Sequence, residues 1–239
     1  MKGRCLMGIK IHERELRGHT NMGWLDSRHT FSFGHFMDPS RMGFRSLRVI
    51  NDDRVIGGAG FGEHGHDNME IISIVLDGAL EHKDSMGTGS IIRPGEIQKM
   101  SAGSGVTHSE YNASQDENAH FLQIWIHPSE RNIEPSYEQV PIDLDAAKGK
   151  FVLIGGGVPS DKVVSIHQDA QLYWASLADG DNVDYSFEDG RFGFVHVARG
   201  SVEFEGVTLK EGDALEIADC DIVKLSANAD SDVLLFDLG

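Results

Sequence analysis

The stretch MEIISIVLDGALEHK, residues 69–83, decides the fold. Its first eight residues form a strand-length apolar run rich in isoleucine, and Gly78 then leads into a second short run. Glycine-bearing turns cut the rest of the chain into many runs of similar length. Helical periodicity is scarce, and residues 143–149 are the plainest candidate for a short helix. The pattern therefore predicts an all-β protein, either a sandwich or a pair of barrels.

Part of this stretch is repeated in the second half of the chain. Residues 78–83, GALEHK, resemble residues 200–205, GSVEFE, and each copy is followed by a charged turn and an apolar strand. Such a repeat predicts two similar β units. The boundary is expected within 127–150, a polar segment with prolines and no strand alternation. We therefore expect residues 1–130 to form an N-terminal unit with a lead-in segment, and residues 131–239 to form a C-terminal unit.

Composition and charge exclude several classes of protein. The chain has 239 residues, and 40% of them are hydrophobic, which is enough for a substantial core. A net charge of −17 repels phosphate backbones and anionic lipids, so we expect no direct binding to nucleic acid or membrane. Two cysteines are too few for the disulfide framework of small secreted proteins, and no apolar run is long enough for a signal peptide or a membrane span. A cytoplasmic protein is the resulting expectation.

Two pairs of residues carry the chemistry. His64 and His66 are two positions apart, so an extended strand turns both imidazoles to one face. His108 and Glu110 have the same spacing further along the chain, so a second strand offers an imidazole and a carboxylate on one face. Imidazole nitrogen and carboxylate oxygen suit a divalent transition metal. The spacing predicts that three histidines and one glutamate converge on a single ion.

Glu70 leaves the identity of the carboxylate ligand open. It lies four residues after His66 and keeps the same strand parity, so it is an alternative to Glu110 as the ligand. Its other predicted role is that of a carboxylate that orients an imidazole through the second ring nitrogen. The glycines at 57, 58, 60 and 62 are not a dinucleotide fingerprint, because no amphipathic helix follows them. They are expected to bend a strand and to admit substrate close to the backbone.

The remaining histidines and the second unit are predicted to lie outside the metal site. Five of these histidines are expected at turns or on the surface: His29, His35, His82, His120 and His127. His82 is the best exception to test. When the two halves are aligned on their turn glycines, other residues stand where the first half has its two pairs: Ser186, Glu188, Leu225 and Ala227. We therefore expect the C-terminal unit to lack metal ligands.

Longer motifs are spread over nearly the whole chain: Gly23–Phe33 (GWLDSRHTFSF), Gly60–His66 (GFGEHGH), His82–Gly87 (HKDSMG), Met100–Asn112 (MSAGSGVTHSEYN) and Leu234–Leu238 (LLFDL). Together they resemble the pirin family of bicupins. The most similar kind is the short bacterial pirin-like protein with quercetin 2,3-dioxygenase activity. The resemblance implies an all-β fold of two cupin-type β-barrels packed in tandem, with the metal in the N-terminal barrel.

The resemblance also implies a ligand set and a reaction. It implies that one divalent transition metal is bound by His64, His66, His108 and Glu110, whereas cupins in general would use the carboxylate at Glu70. The expected ion is Fe²⁺, because a redox-capable metal passes electron density to oxygen more readily than zinc; copper, nickel, manganese, cobalt and zinc are the alternatives. The implied substrates are a flavonol such as quercetin and O₂. Because a nearby carboxylate would accept the proton of the substrate hydroxyl, Glu110, or failing that Glu70, is the candidate base.

A flat polyphenol requires an apolar slot beside the metal. The residues predicted to line it are Phe61, Ile72, Ile74 and Val106. The strand at 121–126 completes the wall in one of two registers, which expose either Leu122, Ile124 and Ile126 or Phe121 and Trp125.

Two alternative functions belong to other classes. The first is a metal- or redox-sensing regulatory protein of the pirin type, whose negative charge would suit a protein partner. The second is a metal-dependent cupin that acts on another small molecule.

Overall fold

The computed structural model describes residues 8–239, which divide into two compact units. The N-terminal unit comprises Gly18–Ile142 and Gly156–Gln168. The C-terminal unit comprises the described residues up to Arg17, Asp143–Gly155 and Asp169–Gly239.

Strands make up most of the N-terminal unit. They are β2 (Gly18–Asn21), β3 (Leu25–His29), β4 (Leu47–Val55), β5 (Gly60–His66), β6 (Glu70–Asp77), β7 (Leu80–Asp84), β8 (Gly89–Ile92), β9 (Glu96–Ser101), β10 (Val106–Asn112), β11 (Ala119–Ile126), β12 (Ser136–Pro141) and the short β14 (Val164–Ser165). A seven-stranded sheet has the order β12-β9-β6-β11-β4-β3-β2, and a four-stranded sheet has the order β5-β10-β7-β8.

The C-terminal unit repeats this plan. Its strands are β1 (Ile9–His12), β13 (Val152–Gly156), β15 (Ala170–Leu177), β16 (Asn182–Ser186), β17 (Phe192–Arg199), β18 (Ser201–Phe204), β19 (Val207–Lys210), β20 (Ala214–Ile217), β21 (Ile222–Ala227) and β22 (Ser231–Leu238). One sheet contains the order β1-β20-β17-β22-β15-β13, and a four-stranded sheet has the order β16-β21-β18-β19. The expected all-β fold of two similar units is confirmed.

Helix is scarce, as the sequence pattern predicted. A 3₁₀ helix of three residues, Arg14–Leu16, follows β1. The short helix expected at 143–149 is wrong: the segment forms turns, and only its Ala147 N–H bonds back to the Asp143 carbonyl in the manner of a helical turn. Lys148 instead forms an isolated β-bridge with Ser176. Gly149 has a φ of +68°, which is incompatible with a continuing right-handed helix. Within residues 8–239, no helix combines the length and the apolar character needed to span a membrane.

A row of polar side chains crosses the interior of the N-terminal unit. In the seven-stranded sheet, His29, Asn51, Gln123, Ser73 and Gln98 follow one another in register from β3 to β9. Residues that are directly opposite in a sheet share a face, so the five side chains form one row. All five are buried. Burying polar groups without partners is costly, so this row indicates a candidate functional site where an apolar core would otherwise lie.

Apolar residues occupy the interior on both sides of this row. On one side Val75 and Phe121 of the seven-stranded sheet pack with Leu80 and Ile92 of the four-stranded sheet. On the other side Trp125, Ile71 and Met100 pair in register across β11, β6 and β9. The two sheets therefore enclose one barrel interior, and apolar layers flank its polar row.

Candidate metal centre

Three imidazoles converge on the inner face of the four-stranded sheet. Strands β5 and β10 run antiparallel, with His64 opposite His108 and His66 opposite Val106. The ring centroids of His64, His66 and His108 lie 4.5–4.9 Å apart. One ring nitrogen of each lies within 4.8 Å of the others. The structure thus brings together three of the four predicted ligands in the geometry of a chelate.

Glu110 follows His108 on the same face of β10. Its carboxylate forms a second cluster within 4.8 Å with His108 and His82. The Gln123 amide donates a hydrogen bond of 2.7 Å to one carboxylate oxygen, and the Ser73 hydroxyl donates one of 3.3 Å to the other. Burial raises the pKa of Glu110, while the neighbouring His82 and the amide of Gln123 oppose that rise. Two members of the polar row therefore fix the carboxylate beside the imidazoles of His108 and His82.

A bulge in β5 shapes the approach to this cluster. Between the pairs His64–His108 and Phe61–Glu110, β5 has two residues where β10 has only Ser109. An extra residue reverses the alternation of a strand. Phe61 therefore shares the inner face with His64, although an odd number of positions separates them. The bulge adds an aromatic wall next to the histidines.

The environment favours the neutral form of two of these imidazoles, His66 and His108. Burial, followed by the neighbouring His64, lowers the pKa of His66 to about 4. Burial, followed by His64 and His66, lowers the pKa of His108 to about 3. A neutral imidazole carries the lone pair that a metal requires.

The free ring nitrogens fit a metal ion. The Nδ1–H of His64 donates a 2.8 Å hydrogen bond to the Gly62 carbonyl, which leaves the lone pair of Nε2 free. The buried Nε2 of His108 has no hydrogen-bond partner among residues 8–239. Buried polar atoms without partners are rare in proteins. Three imidazoles and a nearby carboxylate form a donor set that suits a divalent transition metal, and the unsatisfied nitrogen lies within this set.

The predicted role of Glu70 beside the histidines is wrong. Its carboxylate accepts a 3.0 Å hydrogen bond from the Ser101 hydroxyl and lies 3.2 Å from Nδ1 of His167 and 3.9 Å from Nζ of Lys99. Ser73 of β6 points to Glu110, so Glu70 at the other parity points out of the barrel interior. The alternation assumed from His66 fails because residues 67–69 leave the strand, with a φ of +50° at Asn68.

A cavity of about 500 Å³ opens onto the cluster. Aromatic rings form much of its wall: Trp24 meets Phe61 edge-on at 5.2 Å, and Trp125 meets Phe33 at 5.3 Å and His66 at 5.0 Å. Phe61 thus lies where it was predicted. The other three predicted pocket residues, Ile72, Ile74 and Val106, do not line the cavity.

The alternation of side chains along β6 explains why Ile72 and Ile74 do not line the cavity. Ile72 and Ile74 share the outward face of Glu70 and are fully buried there. Val106 faces inward but packs in the apolar layer with Ile71 and Met100. The register left open for β11 is resolved by Trp125, which lines the cavity together with Gln123.

Several cavity residues were not identified from the sequence. The expectation of turn or surface positions is wrong for His29, His82 and His120, all of which are buried. His29 lines the cavity with Ser27, Asn51 and Asp53. These residues lie on β3 and β4 and line the same cavity as His64 and His66. No alternation marks them in the sequence, because residues 26–29 and 51–54 are polar at every position.

Asp53 is a strongly perturbed group of this wall. It is 2% exposed, and its Oδ1 has no hydrogen-bond partner in the part of the chain that the structure describes. Burial raises its pKa to about 7, against a lowering effect of the Ser27 hydroxyl, and nearby Asp52 adds to the rise. The cavity therefore presents a carboxyl that holds its proton near neutral pH.

Comparison with known proteins gives consistent matches over nearly the whole chain. The family model Pirin matches residues 10–126, and the quercetinase C-terminal cupin domain matches residues 153–238. A protein named quercetin 2,3-dioxygenase from Escherichia coli K12 is 46% identical over 231 residues, which cover 96% of this chain and 98% of that protein. A pirin-like protein from Caulobacter vibrioides is 37% identical over 221 residues, covering 92% and 95%.

Solved structures agree with the sequence matches. The crystal structure of the bacterial pirin YhhW from Escherichia coli in complex with nickel(II) has a TM-score of 0.91 and 43% identity, with 96% of this chain and 98% of that chain covered. Because a relative 46% identical spans nearly the whole chain and both family models match, the chain belongs to the pirin family, with one cupin domain in each half.

Proposed function

We propose that this protein is a metal-dependent dioxygenase that cleaves a flavonol such as quercetin with O₂. The observation that carries the proposal is that His64, His66 and Glu110 line one cavity together with aromatic side chains. Relatives named quercetin 2,3-dioxygenase at 46% identity support it. The nickel complex of a relative supports a divalent ion.

The proposed ligands are His64, His66, His108 and Glu110. A divalent ion bound there would supply a Lewis acid that stabilises a deprotonated substrate hydroxyl and, if redox-capable, a path for electron density towards O₂. Fe²⁺ is the proposed native ion for that second reason. Because the affinity order of divalent ions favours nickel and copper over iron at a nitrogen-rich site, cellular supply decides which ion is bound.

The cavity suits a flat polyphenol in size and in lining. Pockets for small organic ligands commonly hold about 300–1,000 Å³, a range that includes this one at about 500 Å³. Phe61 and Trp125 contribute ring surfaces to its wall next to His64 and His66. Aromatic side chains bind a planar ring by stacking and edge contacts while they exclude water.

Two carboxyl groups provide places for protons. Glu110 is the proposed base for the substrate hydroxyl, because Gln123 and Ser73 hold its oxygens beside the histidine cluster. Asp53, across the cavity on β4, is proposed to bind a second hydroxyl of the substrate. Its unpartnered Oδ1 would then gain the hydrogen bond that the described chain does not provide.

Oxygen uptake with quercetin, measured on protein loaded anaerobically with Fe²⁺, tests the proposal. The wild type should consume O₂ with loss of the flavonol absorbance, and His108→Ala should abolish this turnover. His127→Ala, at an exposed histidine outside the cavity lining, should retain it. Wild-type protein that binds metal but leaves quercetin unchanged would exclude the proposal. In that case, screening of other small molecules separates another cupin enzyme from a metal-sensing regulator.

A further inference from the structure

A chain of hydrogen bonds connects a surface turn to His108. The Asp84 carboxylate accepts 3.0 Å hydrogen bonds from the backbone N–H groups of Met86 and Thr88 through Oδ1. Its Oδ2 lies 3.0 Å from Nε2 of His82. The side chains of His82 and Asp84 have no exposed surface. The turn at 84–88 therefore holds the carboxylate in place, and the carboxylate holds the His82 ring.

These contacts determine where the ring protons lie. A carboxylate only accepts hydrogen bonds, so Nε2 of His82 carries a proton, and in the neutral imidazole its Nδ1 keeps a lone pair. Nδ1 of His108 lies 3.5 Å from that Nδ1. Because one of the two nitrogens must donate, the proton is on Nδ1 of His108. Nε2 of His108 is left with a free lone pair, and it is the buried nitrogen without a hydrogen-bond partner in the described chain.

His82 acts through His108 rather than as a ligand. It lies in a cluster with His108 and Glu110, but Asp84 occupies its Nε2 and His108 faces its Nδ1. Its ring also packs on Tyr137, with centroids 4.9 Å apart and an interplanar angle of 34°. Both nitrogens of His82 are thus engaged within the protein, and its orientation is fixed.

We propose that Asp84 and His82 are positioning residues that keep His108 in the tautomer with a free Nε2, and so set the metal affinity of the centre from the turn at 84–88. The inference rests on the proposed metal site, but not on the identity of the substrate. Outer partners of metal-bound histidines typically change metal affinity about 10–100-fold when they are mutated. The relay formed by Asp84, His82 and His108 has one hydrogen-bonded step more than usual, because the His82 imidazole lies between the carboxylate and the proposed ligand.

Asp84→Asn tests the relay with little change in shape. The amide oxygen introduced by this substitution can still accept the hydrogen bonds of the turn N–H groups. The amide NH₂ then faces His82, and Nε2 must accept a hydrogen bond from it. The proton of His82 then moves to Nδ1, the proton of His108 moves to Nε2, and the ligand lone pair is lost. Replacing the carboxylate of a carboxylate–histidine pair by its amide is known to impose the wrong tautomer.

The first measurement is the dissociation constant for Ni²⁺, obtained by chelator competition on the full chain. Asp84→Asn should raise it about 10–100-fold. The double variant Asp84→Asn with His82→Phe should regain part of this loss, because phenylalanine keeps the packing on Tyr137 but transmits no proton. Asp77→Asn, at an exposed carboxylate 3.7 Å from Nδ1 of His120, is the matched control and should bind as the wild type.

The second measurement is the tautomer of His108 in metal-free protein, read from ¹H–¹⁵N correlation spectra of ¹⁵N-histidine samples. The proton should be on Nδ1 in the wild type and on Nε2 in Asp84→Asn. An unchanged tautomer and unchanged Ni²⁺ affinity in a folded Asp84→Asn variant would overturn the inference. Wild-type protein that binds Ni²⁺ without quercetin turnover would reject the dioxygenase alone, since both measurements of the relay are independent of substrate.

Discussion

At the scale of single residues, the barrel interior contains carboxyl groups that a purely apolar core would not tolerate. Asp53 and Glu110 are 2% and 1% exposed, and burial raises the pKa of each. Glu110 has two hydrogen-bond donors, whereas Oδ1 of Asp53 has none within the described chain. This difference in hydrogen bonding indicates that Asp53 lowers the stability of the fold and is retained for binding.

Asp53→Asn should remove a pH-dependent loss of stability in metal-free protein. The pKa of Asp53 is about 7 in the fold against 3.8 in a model compound, so the folded state holds its proton while the unfolded state releases it. Stability therefore falls as pH rises from about 4 to about 7, by on the order of 4 kcal/mol. Urea denaturation at pH 4.5 and pH 8 measures it. The variant should lose less stability than the wild type over this interval; equal losses would contradict the assignment.

Glu70 and Glu110 should differ in their effect on metal binding. Glu110→Gln should weaken Ni²⁺ binding more than about 10-fold, because it removes a charged oxygen next to the imidazoles. Glu70→Gln should leave the affinity within about 2-fold, because that side chain faces Ser101 and His167 outside the barrel interior. Chelator competition on both variants, after circular dichroism confirms folding, gives the comparison. A larger effect from Glu70→Gln would restore the role that its spacing first suggested.

At the scale of strands, alternation predicts part of the site and fails where a strand is interrupted. The pairs His64–His66 and His108–Glu110 each lie within one strand, so parity alone placed them correctly on one face. Two interruptions are not visible as patterns: the turn after His66 and the bulge at 62–63. The first invalidated the parity of Glu70, Ile72 and Ile74, and the second turned Phe61 inward.

Gly60 is required for the close approach of β5 to β10. A Cβ atom at this position would lie 2.4 Å from the Glu110 carbonyl oxygen and 2.5 Å from Cα of Tyr111. Backbone atoms cannot yield as a flexible side chain does, so Gly60→Ala should destabilise the protein by about 2 kcal/mol or more. The bulge residue Gly62 is the matched control, because its Cβ would meet only the Tyr111 hydroxyl at 3.8 Å.

Thermal denaturation distinguishes the two glycine positions. Gly62→Ala should change the unfolding free energy by less than about 1 kcal/mol, since alanine fits there and restricts the unfolded chain. Gly60→Ala should lower the melting temperature clearly below that of Gly62→Ala. Equal melting temperatures would show that the two strands can separate without cost, and that the register at Phe61 and Glu110 is not held tightly.

At the scale of the whole molecule, the fold was more predictable than the cavity. The repeat at Gly78 and Gly200 and the short strand-like runs were sufficient for two β units, because each signal is local. The polar row from His29 to Gln98 was not predictable, because it exists only when five strands take one register. The choice of Glu110 over Glu70 likewise came from family resemblance, since spacing permits both.

The C-terminal unit keeps the fold without the site. Its counterparts of the ligand positions include Leu225 and Ala227, which are 1% and 3% exposed within an apolar core. Phe187, Val195 and Val223 belong to the same core. In residues 8–239, the clusters of three metal-ligating side chains are those that contain His108. Apolar side chains thus fill the interior that corresponds to the cavity of the N-terminal unit.

This difference predicts a metal stoichiometry of one per chain. Protein loaded with Ni²⁺, passed through a desalting column and analysed by mass spectrometry for metal should contain about one ion, since only one of the two described units offers converging imidazoles. His108→Ala should reduce the content towards zero, whereas Leu225→Val, a conservative change in the other core, should leave it at one. Two ions per wild-type chain, or one ion retained in His108→Ala, would show that a site exists outside the histidine cluster and that filling of the second barrel is not what limits binding.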